Sequence, residues 1–163
     1  MNTRWMTHLL AALVTIGSTA VPVSAQTFTL TATLTGAQET PAPGINTGAF
    51  GNATVVVNMS ARTVTWTVDV FNFPSGVTAA HIHVGAAGTG GPTVVNFTVP
   101  TTASNDFRIT GSAADAEFTL QPDQGIRSAD DAFQAILGGN SYVNVHSAVN
   151  RGGEIRGQLT LRP

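Results

Sequence analysis

A strict two-residue alternation constrains this chain more than any other feature. Between Phe28 and Thr35, Phe28, Leu30, Ala32 and Leu34 alternate with Thr29, Thr31, Thr33 and Thr35. Such a segment has one apolar and one polar face only when it is extended. The same period recurs from about Ala49 to Met59, where Ala53, Val55, Val57 and Met59 point inward, and from Thr63 to Phe71 through Val64, Trp66, Val68 and Val70. Only Ser60-Ala61-Arg62 separates these two runs, so they read as an antiparallel hairpin with Thr63, Thr65, Thr67 and Asp69 facing water. Threonine and valine suit this arrangement because their branched side chains pack on a pleat and lose rotamer freedom in a helix.

Further strands are expected at Thr78–Val84, Thr93–Val99, Phe107–Thr110 and Ala116–Leu120, the last two interrupted by Gly111-Ser112. The final two are Tyr142–His146 and Glu154–Leu161, with Asn150-Arg151-Gly152-Gly153 as the turn between them. In the last strand Ile155, Leu159 and Leu161 share a face, and Glu154, Arg156, Gln158 and Thr160 take the other. One segment has a helical period. Ser128 precedes Asp131 by three residues, a capping-box pattern; Ala129, Ala132, Phe133, Ile136 and Leu137 follow on one stripe, and Gly138-Gly139 stops them. About eight or nine short strands with one short helix before the last two imply an all-β fold, a Greek-key β-sandwich or a flattened barrel. No linker divides the chain, so residues 26–163 are expected to form a single domain.

Residues 1–25 have the layout of a secretory signal peptide: Arg4, then the apolar run Leu9–Ile16, then Val23-Ser24-Ala25 before a cleavage point. That apolar run is too short to cross a bilayer. The expected location is secreted or periplasmic. No cysteine is present, so stability there must come from packing and not from disulfides. Lysine is also absent, and nine acids outnumber seven arginines. The chain therefore lacks the basic footprint of a nucleic-acid or anionic-membrane binder.

The chemistry-bearing residues are histidines. His81 and His83, in VTAAHIHVGAAGTGGP (Val77–Pro92), lie opposite Ala80, Ile82 and Val84 and share a strand face about 6–7 Å apart. His146 shares a face with Tyr142 and Asn144. If the two strands are neighbours, three imidazoles converge on one patch. Three nitrogen donors without a thiolate suit copper(II) or zinc, whereas calcium needs several oxygens. The alternatives are a structural role, in which the histidines hydrogen-bond the glycine-rich loop, and general acid–base chemistry. Glu154 is the best carboxylate candidate for a base, and pairing with Arg156 or an edge amide is its competing role. Glu39 reads as an exposed loop carboxylate, with metal ligation as the alternative. The Gly85–Gly91 run lacks the glycine–lysine ending of a phosphate loop. No G-x-S-x-G nucleophile elbow occurs.

Leu34-Thr35-Gly36-Ala37-Gln38-Glu39-Thr40-Pro41, Val77-Thr78-Ala79-Ala80-His81-Ile82-His83, Tyr142-Val143-Asn144-Val145-His146 and Gly152-Gly153-Glu154-Ile155-Arg156-Gly157-Gln158-Leu159 together resemble the CHRD domain, the module named after chordin. The resemblance spans nearly all of residues 26–163. It implies an exported β domain; in chordin such modules accompany other domains that bind secreted growth factors. His81-Ile82-His83 is also similar to the H-x-H strand of copper–zinc superoxide dismutases. That likeness implies copper-ligand positions at His81 and His83, with His146 as a third. The dismutase zinc cluster, disulfide cysteines and electrostatic loop have no counterparts.

The expected function is metal binding, copper first and zinc second, through His81, His83 and His146. The competing expectation is a metal-free, non-catalytic structural or adhesive module that recognises another extracytoplasmic protein. A metal-dependent redox enzyme or hydrolase is the third.

Overall fold

The computed structural model describes residues 26–74 and 76–163. The signal-peptide expectation for residues 1–25 lies outside the described residues. The strands are β1 (Thr27–Thr35), β2 (Phe50–Asn58), β3 (Thr63–Phe71), β4 (Val77–Val84), β5 (Thr93–Asn96), β6 (Phe107–Ala114), β7 (Ser141–Ser147), β8 (Ile155–Gln158) and β9 (Thr160–Leu161). One α-helix, α1 (Ala129–Leu137), precedes β7. The strands form one sheet in the order β5-β4-β7-β8-β1-β2-β3-β6, with β9 also against β1. Neighbouring strands are antiparallel throughout.

This sheet curls into a nearly closed, flattened barrel. Its outermost strands, β5 and β6, do not pair; the chain after β6 bridges them instead. There Thr119 N–H donates to the Val94 carbonyl at 2.9 Å, and Asn96 Nδ2 donates to Thr119 Oγ1 at 3.2 Å. The interior collects most of the apolar faces read from the alternation; the exception is Leu161, expected beside Ile155 and Leu159, which lies in the separate short β9 and is 47% exposed. Leu30, Leu34, Val55, Val57, Val64, Val68, Val70, Ile82, Val143, Val145, Ile155 and Leu159 are all fully buried. Truncating one such Leu or Ile to Ala costs about 2–5 kcal/mol, because the cavity left behind only partly collapses. Helix α1 supplies Ala132, Phe133 and Ile136 to the same core, and Phe133 packs on Phe118 at 5.1 Å. Its cap is as expected. Ser128 Oγ accepts from Asp131 N–H at 3.2 Å, and the Asp131 carboxylate accepts from Ser128 N–H at 2.8 Å.

Three expectations need correction. Gly111-Ser112 does not break β6, which runs through to Ala114. Gly111 is instead the cross-strand partner of Trp66, and a Cβ there would stand 2.5 Å from Trp66 Cζ2. A missing side chain in a strand here marks close approach and not a turn. Residues 116–120 are not a strand: Asp115–Glu117 forms a 3-10 turn, and the segment after it makes the bridge to β5. Beyond Asn96 the expected fifth strand leaves the ladder. Within it a β-bulge lets Val94 and Val95 both turn inward, since Ile82 pairs with Val95 and His83 with Thr93. Such bulges re-aim neighbouring side chains, and this one lies beside His83.

Candidate metal centre

The sheet order puts β4, β7 and β8 side by side, so their outward-facing residues form a grid. His81 pairs across the strands with Asn144, and Asn144 with Arg156; His83 pairs with Tyr142, and Tyr142 with Gln158. His146 lies opposite Ala79 and therefore diagonal to His81. A methyl group at Ala79 leaves the large imidazole room to lean toward β4. Long side chains reach one another along such diagonals.

All three histidines meet. His81 Nδ1 lies 3.2 Å from His146 Nε2, and one ring nitrogen of each histidine lies within 4.8 Å of the others. The ring centroids are 5.0 Å apart for His81–His146, 5.4 Å for His81–His83 and 6.2 Å for His83–His146. Two nitrogens bound to one ion at about 2.0–2.1 Å are themselves about 2.9–3.4 Å apart at angles between square and tetrahedral. The 3.2 Å pair already satisfies that condition. The third nitrogen must come within twice the bond length, about 4.1 Å, which a ring tilt of under about 1 Å achieves. The cluster can coordinate a metal ion.

Backbone carbonyls fix two of the rings. His83 Nδ1 lies 2.9 Å from the Gly91 carbonyl, and His146 Nδ1 lies 2.9 Å from the Arg151 carbonyl. A carbonyl only accepts, so both Nδ1 atoms carry hydrogen and both Nε2 atoms keep their lone pairs. His81 Nδ1–H then donates to His146 Nε2, and shifting that hydrogen to His81 Nε2 frees Nδ1 as a donor to metal. A histidine whose second nitrogen is tied to a carbonyl is the usual arrangement around bound metals.

Burial, followed by the charges that His146 and His83 would carry, lowers the His81 pKa to about 4. Burial also lowers those of His83 and His146, against the opposing hydrogen bonds to Gly91 and Arg151. All three rings are therefore neutral at neutral pH, the form a metal requires.

The surroundings are more enclosed than the alternation suggested. Glu39, Glu154 and Arg156, all expected on a solvated face or loop, are 6%, 1% and 2% exposed. Two loops cause this, residues 36–48 and 85–92, which fold over the outer face of β7 and β8. Glu154 pairs with neither Arg156 nor an edge amide; its carboxylate accepts from Ser147 Oγ at 2.7 Å and Asn150 Nδ2 at 2.6 Å. Burial would raise its pKa, but hydrogen bonds from Thr47, Asn150 and Ser147 outweigh that and hold it below the ordinary value. Glu154 thus anchors the turn whose Arg151 carbonyl orients His146. It is a positioning group, and the base role expected of it has no geometric support.

Tyr142 and Arg156 were also missed. The Tyr142 ring stacks on His83, with centroids 4.9 Å apart and planes 6° from parallel. The Arg156 guanidinium lies over the Tyr142 ring at 3.4 Å. The Tyr142 hydroxyl oxygen accepts from Gly91 N–H at 3.2 Å, tying the same loop that holds His83. In the sequence Tyr142 shares a polar face with His146, and Arg156 one with Glu154 and Gln158; that these faces adjoin follows from the pairing of β7 with β8.

Residues 30–159 match the family described as the CHRD domain. The chain belongs to the CHRD domain family. The match runs from β1 to Leu159 and contains all three histidines. No curated protein matches the chain, and no solved structure does. Among the described residues of this CHRD domain, no helix is long and apolar enough to cross a membrane.

Proposed function

We propose that this CHRD domain is exported and binds one copper ion, with zinc as the second candidate, through His81 Nδ1, His83 Nε2 and His146 Nε2. The observation that carries it is the 3.2 Å separation of His81 Nδ1 and His146 Nε2, with one nitrogen of each ring inside 4.8 Å. An all-imidazole donor set suits copper(II) and zinc, and copper(II) stands highest in affinity for nitrogen sites among the divalent first-row ions. Export is supported by the layout of residues 1–25. The role is binding and not turnover: Glu154, the carboxylate closest in sequence to the cluster, is committed to Ser147 and Asn150.

The test adds one equivalent of copper(II) to purified metal-free protein and records its paramagnetic resonance. Nitrogen hyperfine structure that disappears in His146→Ala supports the assignment. An unchanged aquo-copper signal sinks it. Displacement of bound copper by equimolar zinc would reverse the order of the two metals.

A further inference from the structure

Arg156 is a buried cation that makes no ion pair among the described residues. Its residue on β8 is 2% exposed, one face of the guanidinium lies on Tyr142, and among the described residues only Nη2 has a protein acceptor, the Ala86 carbonyl at 3.0 Å. Buried charges are ordinarily paired, because desolvation otherwise costs several kcal/mol. Arg156 also forms part of a cleft of about 250 Å³ between the residue 36–44 loop and the residue 85–91 loop. Small residues, Ala37, Ala42, Ala87 and Gly88, wall the cleft, while Gln38, Thr40 and Gln158 add uncharged polar groups.

We infer that this cleft is a binding site for a small carboxylate, held on the free edge of the Arg156 guanidinium. The planar fork of guanidinium donors matches a carboxylate's two oxygens. Small side chains around it leave room for the acid's short carbon chain. Bound there, the carboxylate supplies the ion-pair partner that Arg156 lacks among the described residues. This site is separate from the histidine centre, with the Tyr142 ring between them.

Glu39 sets the pH at which the site works. Its carboxyl group lines the same cleft, and the charged or titratable groups facing it are Arg156, Tyr142 and Glu154. Oε1 of Glu39 and Oδ1 of Asn144 are both buried with no partner among the described residues, and both lie against Gly153, where an added Cβ would meet them at 2.4 and 2.6 Å. Asn144 Nδ2 donates to Glu39 Oε2 at 3.5 Å, and a proton on Oε1 donated to Asn144 Oδ1 would satisfy both unpaired acceptors of this carboxyl–amide pair. Burial raises the Glu39 pKa to about 7 despite the opposing Arg156 charge. An ionised Glu39 competes with the incoming carboxylate for Arg156, and a protonated one does not. Affinity therefore rises as pH falls, by about tenfold between pH 8 and pH 6 if only the protonated form binds.

The experiment titrates metal-free protein with acetate, succinate and triglycine, against sodium chloride at matched ionic strength, while the arginine Nε–H resonances are followed by NMR. One arginine resonance, absent in Arg156→Gln, should shift saturably with a Kd on the order of millimolar. Succinate binding more tightly than triglycine assigns the site to free acids. Triglycine binding more tightly, and losing affinity when its C-terminus is amidated, assigns it to a peptide carboxylate.

Gly88 has open space around its missing Cβ but sits at φ 75°, where every side chain is strained and Asn and Asp are tolerated best, so Asp and Asn variants share one backbone cost and differ in charge. Gly88→Asp should weaken binding at least tenfold relative to Gly88→Asn, which keeps the shape without the charge. Glu39→Gln should bind at every pH as wild type does at pH 6. The inference is overturned by the absence of a saturable shift beyond the chloride control, by equal affinities of the two Gly88 variants, or by a Glu39→Gln variant that keeps the pH dependence. None of these outcomes depends on copper, so the site stands or falls independently of the metal centre.

Discussion

Replacing Glu39 with glutamine should make this domain more stable in base and much less so in acid. Glu39 is buried beside Asn144 and Gly153, and its pKa rises in the fold from an ordinary 4.5 to about 7. A carboxyl group whose pKa is raised by folding costs nothing below its unfolded value. The cost grows as pH climbs from 4.5 to 7 and is complete above that. At 1.36 kcal/mol per pH unit, the full cost is about 3 kcal/mol. Between pH 5 and pH 8 it changes by about 2.5 kcal/mol. Glutamine has the shape of the protonated acid and can donate to Asn144 Oδ1, but it cannot ionise. Urea unfolding of metal-free wild type and Glu39→Gln at both pH values measures the difference directly. The buried histidines titrate with the opposite sign in this range, since their lowered pKa values make the fold less stable as pH falls. They are common to both proteins and cancel. Glu39→Gln should exceed wild type by about 3 kcal/mol at pH 8, and the gap should shrink to under about 1 kcal/mol at pH 5. A gap of the same size at both pH values would refute the raised pKa and the proton shared with Asn144.

Copper should stay bound below pH 6.5, because burial lowers the pKa of all three imidazoles, that of His81 to about 4. Half-release above pH 6 in a titration followed by paramagnetic resonance would contradict that electrostatic picture. Gly111→Ala should lower stability by about 1–3 kcal/mol and shift the tryptophan emission, since its methyl group collides with Trp66, which stacks on Phe97 at 4.3 Å. An unaltered spectrum and midpoint would show that Trp66 is not pinned there. Ser128→Ala removes the α1 cap and should cost about 1 kcal/mol in the same unfolding assay, with little change meaning that tertiary packing alone holds the helix.

Much of the site was legible before any coordinates. Period-two alternation places His81 with His83 and, separately, His146 with Asn144 and Tyr142. Each of those groupings holds because side chains on an extended backbone have only two directions available. Burial of the polar face was not legible. Glu39, Glu154 and Arg156 carry the marks of solvated residues, and the pattern along a strand says nothing about whether a distant loop will cover it. Gly111 misled for a related reason. Within its own segment a glycine beside a serine resembles a turn, and only the pairing of β3 with β6 reveals the indole it makes way for.

Sequence alone determined most of the strands, the capped helix and the pairing of His81 with His83 on one face, since these follow from interactions between residues close along the chain. Tertiary structure decided that β4 and β7 are neighbours, which brings His146 Nε2 to 3.2 Å from His81 Nδ1. It also decided that two loops close over β8 and enclose Arg156 beside Glu39. Which strands adjoin, and what covers them, depends on how all the apolar faces are buried at once, and no local period records that.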